Sequence, residues 1–72
     1  MEKQSIRLGF SKRLKELRKK HGLTQQELAG LAEVDYKHIQ RLESKKPTAI
    51  KIDTIQKIAK AFKISPSKLL DF

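Results

Sequence analysis

Between residues 23 and 44 the chain reads LTQQELAGLAEVDYKHIQRLES, and two side chains in this stretch are placed to open helices. Thr24, with Glu27 three residues on, forms a capping box. The Thr hydroxyl accepts from the amide of the third helical residue, and the Glu carboxylate accepts from the cap's own amide. Asp35 is a second N-cap residue. Caps this close together admit only two short helices, and between Ala32 and Asp35 just Glu33 and Val34 remain to turn the chain. The first of the pair turns Leu28, Ala29 and Ala32 inward; the second turns Ile39 and Leu42 inward, with Val34 packing just before it. Small Ala29 lets the second helix cross close over the first.

The flanks extend this helical reading. Ile6, Phe10, Leu14 and Leu17 recur on one helical face, and Lys12, Arg13, Lys15, Lys19 and Lys20 occupy the others, so a first helix is expected over residues 6–21. Gly22 supplies a left-handed stop. The stretch SKKPTAIK, residues 44–51, reads as a loop, because Pro47 cannot continue a helix. Ile52, Ile55, Ile58, Ala59 and Phe62 then mark a fourth helix. Ser65 followed by Pro66 is an N-cap with proline at the first helical position, opening a last helix through Leu70. Gly30, inside the second helix, costs about 1 kcal/mol relative to Ala. The expectation is an all-α chain, five short helices around one core, forming one domain over residues 1–72.

Chemistry is limited by what is missing. There is no cysteine, hence no disulfide and no thiolate metal site. His21 and His38 have no partner at ligand spacing, so no metal is expected. No nucleophile, base and orienting group fall at a recognisable spacing, and there is no glycine-rich phosphate loop. An enzyme, a cofactor and a small-molecule ligand are therefore not expected. Residues 1–10 lack the apolar stretch of a signal peptide, and no run of 18 apolar residues occurs, so a cytoplasmic protein is expected.

Charge points the other way, toward a partner. Seventeen Lys and Arg against eight Asp and Glu give a net charge of +9 and a pI near 10.1. Such a balance suits a polyanion, of which nucleic acid is the commonest in a cell. One helix face also carries side chains of the kind such a partner would use. Tyr36, Lys37, Gln40 and Arg41 crowd the outward face of the third helix. An α-helix fits the major groove of DNA, and Arg, Lys and Gln are the side chains that read base edges there. A merely solvated face more often carries Glu–Lys pairs.

The span 23–62 resembles the helix-turn-helix of phage repressors, Cro proteins and the xenobiotic-response-element (XRE) family of bacterial regulators. The likeness runs from LTQQELAGLAEV through IQRLES to IQKIAKAF, with the helix-turn-helix itself at about residues 24–44. It implies a lambda-repressor-like DNA-binding domain and assigns roles by position. Gln25 is implied to contact a phosphate, as do Ser44, Lys45 and Lys46 in the loop. Tyr36, Lys37 and Arg41 are implied to face bases, with Gln40 at the edge of the groove. Arg18 and Glu43 are implied to form a partly buried structural pair. Three departures stand out. Glu33 occupies the turn where the family usually has Gly, Lys45 replaces another frequent Gly, and the loop before the fourth helix is one residue longer. Leu31 also sits where a polar residue is more common, and is expected to be exposed.

Together these features imply sequence-specific regulation of transcription on double-stranded DNA. The expected form is a repressor or controller acting as a homodimer on a two-fold operator, with Leu69, Leu70 and Phe72 as its interface. A Cro-like repressor, a restriction–modification controller and a DNA-binding antitoxin all suit the pattern. Two other classes compete. One is a protein-interaction module with an incidental basic face; the other is a membrane-surface peptide, disfavoured because the apolar stripes are broken into short helices.

Overall fold

A computed structural model describes residues 3–72, with side chains described from residue 6 onward. Five helices follow one another: α1 (Lys3–Lys20), α2 (Gln25–Ala32), α3 (Tyr36–Leu42), α4 (Ile52–Ala61) and α5 (Pro66–Leu69). No strand occurs among the described residues. The all-helical expectation holds.

Local chemistry sets most of the boundaries. The last turn of α1 carries Arg18, Lys19 and Lys20, which complement the negative end of the helix dipole. Gly22 follows in the left-handed region at φ 67°. At the start of α2 both halves of the capping box are made. The Glu27 amide donates to Thr24 Oγ1 at 3.0 Å, and the Thr24 amide donates to Glu27 Oε1 at 2.8 Å. Asp35 caps α3, accepting from the Lys37 amide at 2.8 Å. Ser65 caps α5, with Pro66 in its first turn. α5 is one residue shorter than expected, because Leu70 already serves as its C-cap.

The turn between α2 and α3 is where composition and geometry conflict. Glu33 lies in the left-handed region, at φ 57° and ψ 42°, a conformation in which its Cβ crowds the following carbonyl. The turn is nevertheless closed in the usual way, the Val34 amide donating to the Ala29 carbonyl at 3.0 Å. Lys63, just beyond α4, is a second left-handed non-glycine residue at φ 58°, whereas Lys45 does not have a positive φ.

Each helix contributes its expected stripe to one core. Phe10, Leu14 and Leu17 of α1 meet Leu28, Ala29 and Ala32 of α2, and Ile39 and Leu42 of α3. Ile58, Ala59 and Phe62 close it from the α4 side, and Leu69 from α5. Burying a side chain such as Leu14, Leu28, Ile39 or Ile58 contributes about 1.5–3 kcal/mol. Two expected core residues lie outside. Ile6 is 57% exposed and Ile52 is 82% exposed. Both occupy the opening turn or turns of their helices, beyond the point where a neighbouring helix covers them. Among the described residues no helix is long and apolar enough to cross a membrane.

Candidate nucleic-acid interface

α3 is held on its inner side by Ile39 and Leu42, both fully buried, so its orientation on α2 is set by packing. That rotation turns Tyr36, Lys37, Gln40 and Arg41 outward, and all are exposed. Lys37, Gln40, Arg41 and Ser44 line one shallow depression that holds no acidic side chain. Gln40 Nε2 donates to Tyr36 Oη at 3.1 Å, so two of these side chains are already fixed against each other one turn apart. Ser44 Oγ donates to the Arg41 carbonyl at 2.8 Å, which ends α3 and leads into the exposed Lys45 and Lys46.

Below this face lies a different arrangement of charge. Arg18 of α1 meets Glu43, the residue that ends α3, through two parallel bonds. Nε donates to Oε2 at 2.7 Å and Nη2 donates to Oε1 at 2.9 Å. Arg18 Nη1 also donates to the Leu23 carbonyl at 2.8 Å, at the entry to α2. One guanidinium thus ties together α1, the approach to α2 and the end of α3. The Glu43 side chain is 1% exposed and that of Arg18 is 13% exposed. Hydrogen bonding to Glu43 holds the Arg18 guanidinium above its ordinary pKa range, outweighing the opposite pull of burial.

Gln25 enters the same seam, a contact that the sequence reading did not include. Its Nε2 donates to Glu43 Oε1 at 3.1 Å, so the deepest carboxylate is bonded from both α1 and α2. A primary amide has two N–H donors and a carbonyl acceptor, and the contact with Glu43 uses one donor.

Other residues are placed as follows. Leu69, expected at a dimer interface, is fully buried within the monomer and cannot offer a contact surface, which is a correction. Leu70 and Phe72 are exposed, at 43% and 57%. Phe72 lies against Gly9, where an added Cβ would come within 2.7 Å of its ring, and beside Phe10 at 6.4 Å between centroids. His21 stacks on Phe62 at 4.9 Å between centroids, and its Nδ1 lies 2.9 Å from the Leu17 carbonyl. No group of acidic, His or Cys side chains suited to a metal ion occurs among the described residues. Leu31 is exposed, at 59%.

Comparison with known proteins places the whole domain in a family. A family model described as helix-turn-helix matches residues 14–69. The chain is similar to the restriction-modification controller protein C.AhdI from Aeromonas hydrophila. The two share 33% identity and a TM-score of 0.82, over 88% of this chain and 94% of that one. No curated protein matches.

Proposed function

Because the chain belongs to the XRE-type helix-turn-helix family and is a DNA-binding transcriptional regulator, we propose that it acts as a repressor or controller, a dimer on a two-fold operator. The observation that carries this reading is the outward face of α3. Lys37, Gln40 and Arg41 are exposed together along one depression, while the helix carrying them is anchored from beneath. In this reading α3 enters the major groove. Lys37 and Arg41, four residues apart on one face, read base edges with Tyr36 beside them. Guanine, with its O6 and N7 acceptors, is the base expected opposite at least one of them in each half-site. Gln40, bonded to Tyr36, reads an adenine or holds the edge of the groove. Ser44, Lys45 and Lys46 meet backbone phosphates, and Gln25 does so through the amide hydrogen not committed to Glu43.

A recognition helix of seven residues spans few base pairs, so discrimination calls for a second copy. Leu70 and Phe72, apolar and exposed near the last helix, form the proposed contact between copies. Two half-sites about one helical turn apart, ~34 Å, then face the two recognition helices. Similarity to a restriction-modification controller favours the controller role over an antitoxin.

Selection from random-sequence DNA, followed by sedimentation of the selected complex, tests the proposal. A two-fold consensus bound by two chains is expected. Enrichment of no sequence at all would overturn the sequence-specific reading, and a vesicle-binding assay would then separate the protein-interaction and membrane-surface alternatives. A monomer holding one asymmetric site tightly would remove the dimer.

A further inference from the structure

The first turns of α1 extend past the core. Its buried stripe begins at Phe10, yet the helix starts at Lys3, and Ile6, Arg7 and Leu8 are exposed. Ordering backbone costs conformational entropy, and these turns recover little of it through burial. What the extension does provide is position. Arg7 and Leu8 form one wall of an open cleft of about 430 Å³, whose other wall is Lys45, Lys46, Pro47 and Thr48 from the loop after α3. Pro47 is buried and holds the loop in place. Ser11, one turn along α1 and itself buried, directs Oγ at the Ser44 carbonyl, 3.4 Å away, and so joins this part of the helix to the start of the loop.

The lining described for this cleft includes the cationic side chains Arg7, Lys45 and Lys46 and no acid. It also adjoins the proposed reading face through consecutive residues of the loop. Ser44 lines the α3 depression, and Lys45, the next residue, lines the cleft. An anion seated here would therefore lie beside the surface that faces the major groove. A duplex offers such anions at regular intervals along its backbone. Planar guanidinium suits a phosphodiester through paired N–H donors, and Leu8 with Pro47 supplies an apolar wall for the adjoining sugar.

We infer that this cleft seats a backbone phosphate of the bound duplex, with Arg7 of α1 as an additional contact that widens the footprint beyond the helix-turn-helix. Arg7 precedes the residues matched by the family model, which begin at Leu14, so the contact lies outside the matched motif. The inference rests on the DNA-binding reading and sharpens it.

The test measures affinity against salt for the parent chain, Arg7→Ala and Arg7→Lys, on the selected duplex and on a scrambled one, well below each melting temperature. Loss of one phosphate contact makes the log–log salt slope shallower by about 0.9 per bound subunit. Equivalently, the ratio of parent to Arg7→Ala affinity falls about 3.5-fold per subunit when salt is raised fourfold. Arg7→Lys keeps the slope, and both variants keep the parent's preference between the two sequences. An Arg7→Ala slope equal to that of a steeply salt-dependent parent would overturn the inference alone. A parent whose affinity ignores salt would overturn the DNA-binding reading with it.

Discussion

Two clusters of charge lie on either side of α3 and behave in opposite ways. Beneath it, Arg18, Glu43 and Gln25 are joined by short hydrogen bonds in a nearly dry seam. Above it, Lys37 and Arg41 stand in solvent, with no acidic side chain in the depression they share. The first arrangement satisfies its charges internally and converts them into fixed geometry. The second leaves cations for a partner to neutralise. Charged residues therefore say little by their type alone; burial and pairing decide whether they hold the fold or stay open to a partner.

The comparison breaks most readily at the seam. Replacing one member of a buried pair strands the other and costs about 3–5 kcal/mol. Glu43 is the deeper partner, so Arg18→Ala should fall toward the upper end of that range and Glu43→Ala toward the lower, since a freed guanidinium can reach water. Thermal denaturation of both variants decides this. Melting temperatures equal to the parent's would show that the seam does not hold α3.

On the outer side the effects should appear in binding and leave folding alone. Arg41→Ala should weaken operator binding by about 1–3 kcal/mol and relax preference at one base position, with little change in melting temperature. Equal losses on every sequence would move the reading role elsewhere. The turn that joins the two regions gives a smaller effect of opposite sign. Glu33→Gly relieves a left-handed side chain, and chemical denaturation should show it more stable by about 0.5–1 kcal/mol. Smallest is Lys45→Ala, which should shallow the salt slope by about one unit without altering sequence preference. A change in preferred bases would place Lys45 in the groove instead of on the backbone.

Much of this was legible in the sequence because the signals were local. The Thr24–Glu27 box, the Asp35 cap and the Ser65–Pro66 start all act within a few residues, and each opens a helix as expected. The inward stripes followed helical period, failing only at Ile6 and Ile52, where position in the first turns outweighs periodicity. What the sequence did not reveal depends on contacts between distant segments. The Gln25–Glu43 bond and the Arg7 cleft each join parts of the chain that meet only after folding. Leu69 was expected at the dimer interface beside Leu70 and Phe72, since sequence alone does not show how many apolar residues the core takes in. The core takes Leu69 in, and leaves Leu70 and Phe72 outside. Lys63 had a weak local sign, standing just past the Phe62 C-cap of α4, where glycine commonly sits.

The seam under α3 has a consequence for how this protein can change over generations. Its stabilising bonds involve Arg18, Glu43, Gln25 and the Leu23 carbonyl, and none involves Lys37, Gln40 or Arg41. Exposed positions that share no partner with a buried network tolerate exchange with stability changes within about 0.5 kcal/mol, and such changes add nearly independently. The outward residues of α3 therefore form an exchangeable part on a separately bonded mount. If they read the operator as proposed, a lineage could drift to a new one by altering them one at a time, with the helix presented at the same angle.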